Sequence, residues 1–85
     1  MPKSVFTGSH KHLVDVLIEA RKQAGMTQAQ LAAAVGKDQS FISIIEGSQR
    51  RVDVLEFCAL ARAMGADPTR LFQEVLVRLP DQIDI

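Results

Sequence analysis

The chain has 85 residues, ten Lys/Arg against ten Asp/Glu for a net charge of zero, and neither Trp nor Tyr. That length suits one small domain with a single core, and Cys58, the only cysteine, excludes an internal disulfide and fits a reducing compartment. No apolar run approaches the roughly 20 residues of a membrane span, and the opening MPKSVFTGSHKH lacks the apolar stretch of a secretory leader, so the expected location is the cytoplasm.

Residues 1–9 carry no periodic pattern and are expected to form a loose arm. From about His10 the spacing becomes helical, with Leu13, Leu17, Ala20 and Ala24 at i, i+4, i+7 and i+11. Gly25 stops this first helix, because glycine accepts the left-handed conformation without a Cβ penalty. Thr27 then offers an N-cap, Gln30 completes a capping box, and Met26 with Leu31 form a hydrophobic staple. This second helix is short and ends at Val35, before Gly36. Asp38 caps a third helix running to about Glu46, where Gly47 can end it. Asp53 with Glu56 makes another capping box, stapled by Val52 and Phe57, for a fourth helix to Met64 before Gly65. Asp67-Pro68 opens a fifth, as an N-cap followed by proline at the first helical position; Pro80 stops it after Leu79. Residues 80–85 are an acidic tail, expected to fray. Five helices with short links leave no room for a sheet, so the expected class is all-α: a compact five-helix bundle over residues 10–79.

The charge is unevenly placed. Residues 1–51 hold seven basic against four acidic side chains, +3, and residues 52–85 hold three against six, −3. The basic half contains the informative segment, Gln28 to Glu46. Two short helices meeting at a steep angle need small residues at their contact, supplied by Ala32 and Ala33, and a sharp turn, supplied by Gly36. The second of the two must return apolar anchors to the core; Ile42 and Ile45 do so, opposite Leu31 and Val35. This is the pattern of a DNA-binding helix-turn-helix. With Ile42 and Ile45 inward, Gln39, Ser40, Ser43 and Ile44 face outward. Glutamine can bond bidentately to adenine, and serine can donate or accept.

The stretches ARKQAGMTQAQLAAAVGKDQSFISIIEG and QRRVDVLEFCALARAMGADP resemble the lambda-repressor-like, Xre-type helix-turn-helix family. The resemblance covers roughly Leu17 to Leu71. It implies that the third helix enters the major groove of double-stranded DNA while the start of the second, Thr27 and Gln28, lies on the sugar-phosphate backbone. Gln39 is the leading base reader, with Ser40, Ser43 and Ile44 beside it; Gln28 suits a phosphate at a helix N-terminus. Lys37, Arg50 and Arg51 flank the third helix as phosphate partners. The resemblance further implies a structural pair of Arg21 with Glu46. The chain departs from the family pattern at Lys37, usually apolar, at Gly47-Ser48, usually a basic residue then Gly, and at Ile44, usually polar. Ile44 can meet thymine methyls or bury against protein.

The expected function is that of a transcriptional regulator binding operator DNA as a homodimer, its recognition helices about 34 Å apart. Leu71, Phe72, Val75, Leu76 and Leu79 cover more than one face of the fifth helix, so part must pack on the core and the remainder suggests a subunit interface. The alternative is the same fold used mainly to bind a protein partner, in the manner of antitoxins. An enzyme is not expected: no Ser-His-Asp arrangement, phosphate loop or converging carboxylate pair is present. His10 and His12 do not share a helix face, so neither metal nor cofactor is expected. Cys58 reads as a core residue.

Overall fold

The computed structural model describes residues 8–85, and most of the expected arm lies outside them. Five helices follow one another: α1 (His10–Gln23), α2 (Gln28–Ala34), α3 (Gln39–Glu46), α4 (Val54–Ala63) and α5 (Pro68–Arg78). There is no strand among the described residues. Local chemistry explains the starts. The Thr27 and Asp53 side chains each accept from the backbone N–H three residues on, while Gln30 and Glu56 reach back to the capping residues' own N–H groups. Asp38 accepts from the Phe41 N–H, and Asp67 from the Thr69 N–H, ahead of Pro68. Ser9 precedes α1 without capping it; its hydroxyl accepts from the Asp84 N–H instead.

Four helices end in one hydrogen-bonded turn, in which two N–H groups past the end return to carbonyls of the last turn. For α1, α2 and α4 these donors are Gly25 with Met26, Gly36 with Lys37, and Gly65 with Ala66, and each glycine has positive φ. For α3 the donors are Ser48, to the Ile45 carbonyl, and Gln49, to that of Ile44. Here the left-handed position falls on Ser48 (φ 57°), not on Gly47 (φ −83°). The bonding pattern is the same, but an L-residue holds a conformation that costs it about 1–2 kcal/mol.

The core gathers Leu17, Leu31, Ile42, Ile45, Leu60 and Leu71, drawn from all five helices. Ile42 and Ile45 are fully buried; such burial is worth about 1.5–3 kcal/mol each and fixes the rotation of α3. α2 packs mainly on α3, and α1 touches α3, α4 and α5. Arg78 clamps α5 to α1 through two bonds to Glu19, at 2.9 and 2.7 Å.

Four expectations need correcting. Ala32 is buried against α3, but Ala33 is exposed, as is Ala24. The inner face of α1 includes Val16, and Val14 is buried as well; neither lies on the i, i+4, i+7 stripe. Cys58 is half-buried at a groove beside Phe57 and Phe72, not enclosed. The tail is irregular and exposed but tied back at two points: Asp84 bonds Ser9 at 3.0 Å and the Ile85 carbonyl accepts from Arg51 at 2.7 Å.

Candidate nucleic-acid interface

The outward face of α3 follows from its anchors. With Ile42 and Ile45 in the core, Gln39, Ser40, Ser43 and Ile44 are exposed, and Ile44 retains 37% of its surface. The Ser40 hydroxyl donates to Asp38 Oδ1 at 2.6 Å, and that of Ser43 to the Ser40 carbonyl at 3.2 Å. The Ser40 hydroxyl and the Phe41 N–H together hold the Asp38 carboxyl below the usual carboxylate range.

On one flank a relay of polar side chains crosses three elements. Arg21, on α1, donates to Glu46 through Nε at 2.7 Å and Nη2 at 3.0 Å, and through Nη1 to the Met26 carbonyl at 2.9 Å. Glu46, at the end of α3, also accepts from Gln28 Nε2 at 2.9 Å. Gln28 Oε1 in turn accepts from Gln39 Nε2 at 3.3 Å. The Arg21 and Glu46 side chains are only 12% and 9% exposed, and the bond to Glu46 raises the Arg21 pKa further above its ordinary value. A carboxylate at a helix C-terminus opposes the helix dipole; the guanidinium offsets this and locks α3 to α1. Gln28, expected to meet a phosphate, here links Glu46 to the base-reading candidate Gln39. The Thr27 hydroxyl serves the α2 cap.

On the other flank Phe41 lies between two cations, Lys37 Nζ at 5.5 Å and Arg50 at 5.2 Å from the ring centre. Arg50 also donates to Glu56 at 2.9 Å, which holds the Glu56 carboxyl below its usual range. Arg50 therefore fastens the loop after α3 to the start of α4. Arg51 bonds the Ile85 carbonyl. Nearby, His10 Nε2 accepts from the Val52 N–H at 3.3 Å; burial first, then the Arg51 charge, lowers the His10 pKa.

Sequence reading missed the Gln28–Gln39 bond and the stacking around Phe41. The second had a local signal, since Lys37 and Phe41 stand four residues apart across a turn. The first had none beyond glutamine opening both α2 and α3. Among the described residues no group of three metal-binding side chains assembles, and no helix is long and apolar enough to cross a membrane.

A helix-turn-helix family model matches residues 17–71. Among solved structures, an XRE-family like protein from Pseudomonas syringae pv. tomato str. DC3000 is 43% identical, with a TM-score of 0.78 over 85% of this chain and 88% of that one. The restriction-modification controller protein C.AhdI from Aeromonas hydrophila is 33% identical, with a TM-score of 0.65 over 72% and 92%. The clp gene regulator ClgR from C. glutamicum, at 21% identity and a TM-score of 0.77 over 91% and 100%, shares the fold. Comparison with curated proteins gives no match. On the family match and the identity to the Pseudomonas protein, the chain belongs to the XRE-type helix-turn-helix family of DNA-binding proteins.

Proposed function

We propose that the chain is a sequence-specific transcriptional regulator that binds operator DNA as a homodimer, with α3 in the major groove. The observation carrying this reading is the outward face of α3, Gln39, Ser40 and Ser43, held at a fixed rotation by buried Ile42 and Ile45 and by the Arg21–Glu46–Gln28–Gln39 relay. Gln39 reads a base edge. Thr27 and Gln28 bring the start of α2 to the sugar-phosphate backbone, and Lys37 and Arg51, both exposed, neutralise phosphates. To do so Arg51 exchanges the Ile85 carbonyl for a phosphate oxygen. Arg50, tied to Glu56 and stacked on Phe41, supports the loop instead.

An exposed apolar face supports the dimer. Phe72 and Leu76 on α5 are 50% and 52% exposed, and Val54 and Leu55 on α4 more so. Such a face on a small domain favours self-association. It also fits the second reading, a protein partner seated on the same surface. Sedimentation separates them: Leu76→Glu should convert a dimer to a folded monomer, whereas a chain already monomeric at tens of micromolar would favour the partner.

The DNA reading is tested by fluorescence anisotropy on random DNA and on sequences selected from a random pool. Gln39→Ala should weaken selected sites by about 1–3 kcal/mol and leave random DNA unchanged. Arg51→Ala should weaken both alike and flatten the salt dependence. Equal losses for both variants on both DNAs would contradict the assignment.

A further inference from the structure

We infer that residues 81–85 form an autoinhibitory strap, tied to the start of α1 and seated on Arg51 where a DNA phosphate would otherwise lie. The inference rests on the reading of α3 and its flanking cations as the DNA-facing surface; what it adds is a competitor built into the chain. After Pro80 the backbone leaves α5 without regular structure and returns to the start of α1. There the Asp84 N–H donates to Ser9 Oγ at 3.0 Å. The next residue, Ile85, accepts at its carbonyl from Arg51 Nη2 at 2.7 Å.

The seat is fitted to the segment. Ser9 stands at the N-cap position of α1, yet its side chain makes no cap bond and is buried; its hydroxyl serves Asp84 instead. Gly8, at φ 62°, leaves room for the Asp84 carboxylate, which a Cβ there would strike. Two of the five residues 81–85 are aspartates, so the segment brings negative charge as well as an acceptor toward a guanidinium. Asp84 and Ile85 are themselves exposed, and no residue beyond Leu79 packs on the core. The segment therefore adds little to the fold, and its cost falls on binding. A guanidinium bonds a neutral carbonyl less strongly than a phosphate, where both partners are charged, so DNA displaces the strap rather than being shut out. The apparent affinity falls by the fraction of molecules in which Arg51 is already released. A net docking strength equal to one ordinary hydrogen bond seats the strap in about 70–90% of molecules, and lowers affinity for all DNA about three- to tenfold.

The test is fluorescence anisotropy on random and selected DNA. Ser9→Ala removes the seat of Asp84 without changing charge or an α1 cap, and should raise affinity for both DNAs alike, about three- to tenfold. Asp84→Pro, which removes the N–H itself, should do the same. In an Arg51→Ala background neither change should raise affinity, which separates release of the guanidinium from loss of an aspartate charge. Competition is reciprocal: in the wild type, the Asp84 amide NMR signal should move on adding DNA toward its position in Ser9→Ala. Affinity unchanged or lowered in both variants, a gain that survives Arg51→Ala, or an Asp84 signal unmoved at saturating DNA would overturn the strap and leave DNA binding intact. Absence of DNA binding by wild type and variants at low salt would remove both readings.

Discussion

Glu46→Gln is the most informative single change. Glu46 accepts three hydrogen bonds, two from Arg21 and one from Gln28. The substitution keeps the side chain's shape and one carbonyl oxygen, but turns an amide NH2 toward a donor and removes the counter-charge of an enclosed guanidinium. A hydrogen bond to a charged group contributes about 1.5–3 kcal/mol, and removing one partner of a fully buried pair costs about 3–5 kcal/mol. This pair keeps some contact with water, so a loss of about 2–3 kcal/mol is expected. Domains of this size have only about 4–13 kcal/mol in total. In urea, with a slope of about 1 kcal/mol per molar, the midpoint should fall by about 2–3 M. A double-mutant cycle with Arg21→Met and Glu46→Met should return a coupling of about 2 kcal/mol. A coupling below about 0.5 kcal/mol, with the Glu46→Gln midpoint unmoved, would refute the argument that this pair holds α3 in place.

Two further outcomes follow from particular residues. Ser48→Gly removes a left-handed penalty of about 1–2 kcal/mol and adds about 0.5–1 kcal/mol of backbone entropy cost. The melting temperature should therefore rise by a few degrees, and a fall would mean that the buried serine side chain contributes more than its conformation costs. His10 accepts from the Val52 N–H only while Nε2 is unprotonated, and its pKa is lowered in the fold. The unfolded chain thus binds the proton first. Stability should be complete above about pH 6.5 and decline as the pH falls toward the lowered value. Urea titrations at pH 7.5 and 5.5 should show this for the wild type, and His10→Asn should lose most of the difference.

Much of the fold was legible because helix starts are local chemistry. Thr27, Asp38, Asp53 and Asp67 cap within three residues of themselves, so sequence spacing carries the information. Helix ends were legible as well, α3 included, which stops at Glu46 before Gly47 as expected; what the spacing did not show is that its left-handed position falls one residue later, on Ser48. The outward set on α3 could be inferred from the burial of Ile42 and Ile45. Its hydrogen-bond partners could not. Gln28 meets Glu46 across 18 positions and Arg51 meets Ile85 across 34, and periodicity says nothing about such separations. Cys58 was placed inside by its apolar neighbours, although its turn of α4 faces the groove beside Phe72.

The three cations flanking α3 are already engaged: Lys37 and Arg50 on Phe41, Arg50 on Glu56, and Arg51 on the Ile85 carbonyl. Affinity for arbitrary DNA comes from basic groups displacing counterions along the duplex. A guanidinium that must first leave an internal partner subtracts from that affinity at every site by the same amount. Random stretches have nothing to make up the loss, while an operator has its base edges. A regulator wired this way holds every stretch of DNA more weakly, so it needs strong base contacts to be retained at all, and those contacts alone set the ratio between operator and background.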